Sequence, residues 1–121
     1  MAIDPRSGDL QRFLTEDPGG PVVMLNLLRF VDGGRERYRE YLRAAAPFLA
    51  KVGGELLHAG EGSTALVAEA GQAWDAILIV RYPTRAAFAA MVADPEYLAI
   101  TRLRTAALQE AVLQATTPWR I

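Results

Sequence analysis

Residues 21–30, Pro-Val-Val-Met-Leu-Asn-Leu-Leu-Arg-Phe, are apolar at nearly every position and stop at the turn signal Asp32-Gly33-Gly34. Successive side chains of a β-strand point to opposite faces. This run therefore sets Val22, Met24 and Leu28 on one side and Val23, Leu25 and Leu27 on the other. The run Ala76-Ile-Leu-Ile-Val-Arg-Tyr82 repeats the pattern, with Ile77 and Ile79 alternating with Leu78 and Val80. A sheet containing two such strands has to bury both of its faces.

The segments around these runs read in order. Ser7 to Glu16 is a short helix, with Ser7 as cap and Leu10, Phe13 and Leu14 at helical spacing. It belongs to an N-terminal helical extension, residues 1–20, that covers apolar surface or serves as a lid; the domain proper is residues 21–121. Arg35 to Val52 is an amphipathic helix, because Tyr38, Tyr41, Leu42, Ala45, Phe48, Leu49 and Val52 form one stripe. Pro47 predicts a kink or break near Ala46, and Gly53-Gly54 ends the helix. Glu55 to Ala59 is a second strand, with Leu56 and His58 on one face and Leu57 and Ala59 on the other. Gly60 to Ser63 reads as a bulge or turn. Thr64 to Ala68 is β-prone, either continuing that strand or forming a separate short one. Thr84 caps a helix that buries Ala87, Phe88, Met91 and Val92. Asp94 and Pro95 start another, running to about Ala107. Glu110 to Thr117 is the last strand, and residues 118–121 form a tail that holds Trp119.

Without the extension, the order is strand, helix, strand, strand, helix, strand. This is the βαββαβ order of a ferredoxin-like α+β fold, a four-stranded antiparallel sheet with its helices on one face. The other face then needs its own cover, since burying a Leu or Ile is worth about 1.5 to 3 kcal/mol and soluble monomers rarely expose such a patch. A second copy of the sheet is the simplest cover. The expectation is a homodimer through sheet faces, a dimeric α/β barrel.

Composition removes several function classes. Lys+Arg 13 against Asp+Glu 14 gives a net charge of −1, so no field draws this surface to nucleic acid or to an anionic membrane. No cysteine is present and His58 is the one histidine; no metal site and no cofactor is expected. No stretch approaches the roughly 20 apolar residues of a membrane span. The first ten residues carry acids and Pro5 where a secretion signal needs a basic head and an apolar run. A cytoplasmic protein is expected.

Seven short motifs stand in order: Val-Met-Leu-Asn-Leu (residues 23–27), Tyr38-x-x-Tyr41, Gly53-Gly54, Trp74-Asp75, Tyr82-Pro83-Thr84-x-x-Ala87, Asp94-Pro95-Glu96-Tyr97 and Arg102-x-Arg104. Over about Pro21 to Thr117 this pattern resembles the domain of unknown function 1330 family of the dimeric α/β-barrel superfamily. The resemblance implies a fold and a dimer and no particular activity. The chain departs from the pattern between Gly60 and Gly71 and in its longer N-terminal lead.

Eight residues are candidates for a site. His58, the one imidazole, suits a general base, or is simply a hydrogen-bonded strand histidine. Asn26 stands in an apolar strand where a buried amide needs partners; those are a ligand carbonyl or oxyanion, the backbone, or a second subunit. Tyr38, Tyr41, Tyr82 and Tyr97 offer apolar walls with hydroxyls, or ordinary core packing. Arg81 and Arg104 suit a carboxylate ligand, or ion pairs with Asp75 or Glu96. Two readings stay open. One is a cofactor-independent enzyme, monooxygenase- or isomerase-like, acting on a small apolar oxygen-bearing molecule. The other is a non-catalytic ligand-binding or structural dimer.

Overall fold

The structure, a computed structural model, describes residues 2–121; Met1 of the expected extension and the side chain of Ser7 lie outside the described residues. In chain order the elements are α1 (Ser7–Thr15), β1 (Val22–Phe30), α2 (Gly34–Lys51), β2 (Glu55–Glu61), β3 (Ala76–Tyr82), α3 (Arg85–Ala93), α4 (Pro95–Ala107) and β4 (Leu108–Thr116). The strands form one antiparallel sheet in the order β2-β3-β1-β4. After α1, this is the expected ferredoxin-like arrangement, with its second helical crossover divided between α3 and α4.

β1 lies between β3 and β4, which makes it the axis of the sheet. Asn26 is level with Leu78 on one side and Leu113 on the other. Val22, Met24 and Leu28, at 1%, 4% and 0% exposure, join Leu78, Val80, Tyr38, Tyr41, Phe88, Met91 and Tyr97 in a single core. All four helices contribute side chains to that core, α1 through Leu10 and Phe13. Val23, Leu25, Leu27, Ile77 and Ile79 occupy the opposite face and stay half-buried outside the core. Both faces of the sheet are therefore apolar at its centre, and the helices cover one of them.

Two of the three expected side-chain caps form, at Thr84 and Asp94, and Ser7 does not hold the cap position expected of it. Thr84 Oγ1 accepts from Ala87 N at 3.0 Å and Asp94 Oδ1 accepts from Glu96 N at 2.9 Å. In α1, Ser7 is the first helical residue and Arg6 holds the N-cap position. Gly34 packs the start of α2 against the end of α4, where a Cβ would run into the Ala107 carbonyl.

Four expectations need correction. Pro47 lies inside α2 without interrupting it. Pro47 and Arg43, whose carbonyl it deprives of a partner, are both exposed, so that oxygen is not left buried without a donor. Strand β2 runs on to Glu61, and its irregularity falls between Leu56 and His58. Thr64 to Ala68 is no strand: residues 62–75 are a loop, with Leu66 and Val67 at 92% and 96% exposure. Propensity alone does not hold a strand without a neighbour to pair with. Last, β4 begins at Leu108, directly after α4.

The loop is anchored at its end. Asp75 N donates to Leu28 O at 2.8 Å, and Asp75 Oδ2 accepts from Phe30 N at 2.9 Å. Arg29 lies over the Trp74 ring at 4.5 Å and donates to the carbonyls of Ala73 and Gly71 at 2.7 and 3.0 Å. No helix is long and apolar enough to cross a membrane among the described residues.

Candidate functional site

Between the sheet and the helices lies a cavity of about 550 Å³. Met24, Asn26, Leu78 and Val80 form its floor on the sheet, and α2 contributes Tyr38 and Tyr41. On α4, Tyr97, Thr101 and Arg104 fall at i, i+4 and i+7 and so share the face turned to the cavity. Asp4, Pro5 and Leu10 close one side from the N-terminal segment. The walls are otherwise largely aliphatic, with polar groups at a few points, as is usual for small-molecule sites.

Asn26 is the amide in the floor. Its side chain is half-buried, and among the described residues its one hydrogen bond is a 3.5 Å contact from Nδ2 to Met24 O. That is at the long limit of a hydrogen bond. The amide thus keeps most of its capacity for whatever enters the cavity.

The tyrosines form a connected wall. The Tyr41 and Tyr97 hydroxyls meet at 2.5 Å, and their rings cross edge to face with centroids 6.4 Å apart. Tyr38 stacks at a tilt on Tyr41, 5.3 Å between centroids. Burial pushes the Tyr38 phenol up to about 12, although the Arg104 guanidinium beside it pulls the other way. Burial also raises Tyr41 and Tyr82, and the neighbouring Tyr97 adds to both shifts. Near neutral pH, Tyr38, Tyr41 and Tyr82 are hence neutral hydrogen-bonding groups and not bases.

Arg104 is only 11% exposed; its Nη1 donates to Asp4 Oδ1 at 3.0 Å, and Thr105 Oγ1 shares the same oxygen at 3.3 Å. Among the lining residues, Arg104 is the one cation and Asp4 the one anion.

Of the eight residues singled out in the sequence, Asn26, Tyr38, Tyr41, Tyr82, Tyr97 and Arg104 come together around the cavity. His58 and Arg81 do not. His58 is exposed on edge strand β2, opposite Ile79 on the face away from the helices. Arg81, opposite Val23 on that same face, reaches Glu55 at 3.5 Å. The irregularity at Leu57 explains the histidine: two residues apart in a regular strand share a face, and one extra residue reverses that. Leu56 takes the place on the cavity wall. The partners of both arginines also differ from those expected, Asp4 and Glu55 standing where Asp75 or Glu96 were anticipated. Asp4 and Thr105 carry no local signal that marks them for a site; their place follows from the N-terminal segment lying beside β4, where Ala111 N donates to Ala2 O at 2.8 Å. Among the described residues no three His, Cys, Asp or Glu side chains converge to hold a metal.

The sequence profile of a domain of unknown function (DUF1330) matches residues 29–116, which takes in the tyrosines and Arg104 and leaves Asn26 just outside. Among solved structures, the RPA0582 protein of unknown function from Rhodopseudomonas palustris is 31% identical, with a TM-score of 0.89 over 98% of this chain and 98% of that one. The At3g17210 protein of Arabidopsis thaliana is 17% identical, with a TM-score of 0.62 over 83% of this chain and 97% of that one. A ferredoxin-like protein of unknown function from Jannaschia sp. CCS1, described as dimeric, is 13% identical, with a TM-score of 0.63 over 82% of this chain and 100% of that one. The last two are likenesses of fold alone. No curated protein matches the sequence.

Proposed function

The chain belongs to the domain of unknown function DUF1330 family, and on that premise we propose that it is a homodimer that holds a small, largely apolar, oxygen-bearing molecule between its sheet and its helices. The observation that carries this reading is the cavity of about 550 Å³ with the under-used Asn26 amide in its floor. Its volume lies within the roughly 300 to 1,000 Å³ common for ligand pockets. Asn26, the tyrosines and Arg104 are the binding residues in this reading, and no cofactor takes part. Residues 1–20 act as a helical extension on a domain of residues 21–121.

The dimer closes two sheets face to face as a dimeric α/β barrel. What supports it is the half-buried apolar face of Val23, Leu25, Leu27, Ile77 and Ile79, together with the dimeric description of the Jannaschia protein of like fold. His58 and Arg81 fall on that face and belong to assembly in this reading.

A second reading, a cofactor-independent enzyme of isomerase or monooxygenase type, is favoured by one feature. The Tyr41–Tyr97 hydroxyl pair and Asn26 line the same cavity, and neutral donors aimed at one substrate oxygen stabilise charge that develops there. His58 has no part in such chemistry, because it faces away from the cavity.

The binding reading is tested with N-phenyl-1-naphthylamine, a neutral apolar dye whose fluorescence rises on leaving water. We expect saturable binding that is lost when Ala45→Phe fills the cavity. If the dye fails to bind, or binds equally to a folded Ala45→Phe protein, the cavity is no ligand site.

A further inference from the structure

Burying a guanidinium is costly unless an anion and good hydrogen bonds accompany it. Arg104 reaches that state in an unusual way. Its side chain is 11% exposed, and its counter-charge is Asp4, which is 55% exposed and precedes the first helix by only a few residues. The pairing is single: Nη1 contacts Oδ1 at 3.0 Å, whereas a carboxylate can engage two guanidinium nitrogens at once. Thr105 Oγ1 converges on that oxygen at 3.3 Å, and the Tyr38 phenol lies beside the guanidinium. Arginine and threonine side chains thus hold one carboxylate at the edge of a largely apolar cavity, and that carboxylate belongs to the chain's own N-terminal segment.

We infer that the cavity takes a monocarboxylate with an apolar body, whose carboxylate replaces Asp4 on Arg104 and Thr105 and releases the N-terminal segment that carries Asp4. This rests on the ligand-binding reading above and names its ligand class. The apolar body occupies the space over Met24, Leu78 and Val80, and the acid group sits at the α4 side. Asp4 acts as an intramolecular stand-in: it neutralises Arg104 when the cavity is empty and competes with the incoming acid. Residues 2–15 are suited to such release. Ala2 joins β4 through one backbone hydrogen bond, and Ile3, Leu10 and Phe13 are only partly buried against the core. Farther along, Arg85 Nη1 holds Phe13 O at 2.7 Å and fixes the end of α1 as a pivot.

The test compares phenylacetate, 4-phenylbutyrate and octanoate with their primary amides, by calorimetry and by displacement of N-phenyl-1-naphthylamine. At least one acid is expected to bind roughly tenfold or more tightly than its amide, as a charge-assisted contact implies. Arg104→Gln should abolish the difference. Asp4→Asn, a change on an exposed side chain, should tighten the acid several-fold by removing its competitor. Hydrogen exchange across residues 2–15 should speed up when the acid binds and not when the amide does. Dye binding with no acid preferred over its amide, or a preference that survives Arg104→Gln, overturns the carboxylate assignment and leaves the cavity reading standing. If neither the dye nor any acid binds, both fall. An acid that binds Asp4→Asn no more tightly than the unaltered protein, with exchange in residues 2–15 unchanged, overturns the displacement.

Discussion

The hydroxyls of Tyr41 and Tyr97 meet at 2.5 Å and join α2 to α4 along the wall of the cavity. Each hydroxyl is the other's partner inside an apolar wall. Removing one leaves its neighbour short of a hydrogen bond, whereas removing both leaves only packing. Tyr41→Phe and Tyr97→Phe should each lower stability by about 1 to 2 kcal/mol, and the double variant should cost clearly less than their sum. Urea denaturation of the four proteins measures the cycle. Strict additivity would show that the hydroxyls do not depend on each other.

The buried phenols also predict how stability changes in alkali. Tyr38 has its folded value at about 12, against 10.0 for an ordinary phenol, and Tyr41 and Tyr82 shift in the same direction. A raised folded value means that the folded state keeps a proton which the unfolded state gives up. The stability from Tyr38 is complete below pH 10 and falls as pH climbs from there to about 12, and Tyr41 and Tyr82 act in the same direction. Phenolate absorbance of the Tyr38, Tyr41 and Tyr82 set should appear together with the loss of far-ultraviolet ellipticity. Its appearance near pH 10 in a folded protein would contradict their burial.

Arg29 was not anticipated as a structural residue, yet it ties down the loop of residues 62–75. Its guanidinium lies over Trp74, pairs with Glu110 at 3.0 Å and donates to two loop carbonyls. Arg29→Ala should cost about 1 to 3 kcal/mol through these charge-assisted contacts. It should also red-shift tryptophan emission and speed hydrogen exchange in the loop. A Trp119→Phe background isolates the Trp74 signal. An unshifted spectrum would mean that the loop holds without the arginine.

A sheet that closes on a second copy of itself does not tolerate charge at its centre. Leu25 and Ile79 stand level with each other on the face away from the helices. Ile79→Lys or Leu25→Lys should turn the proposed dimer into a monomer at micromolar concentration, as read by light scattering, while dye binding in the cavity persists. His58→Ala should leave dye binding unchanged too, since His58 is on that outer face. A wild-type protein already monomeric at that concentration sinks the dimer.

Much of this protein was legible in its residues because it follows local rules. Alternation in residues 22–30 and 76–82 marks the two central strands, the stripe from Tyr38 to Val52 marks α2, and Thr84 and Asp94 mark the starts of α3 and α4. Those features depend on neighbours within a few positions, and the element order that follows from them is that of the ferredoxin-like fold. The tyrosines and Arg104 were recognisable as chemistry without a location. Register and long-range pairing decided the rest. One irregularity at Leu57 sets Leu56 on the cavity wall and His58 on the opposite face, because a strand alternates and a single extra residue reverses everything beyond it. The charge of Arg104 is met by Asp4, a residue with no local tie to it, once the N-terminal segment lies along β4. The residue types available to a site were set by the sequence itself; which of them share the cavity was settled only by strand register and the packing of distant segments.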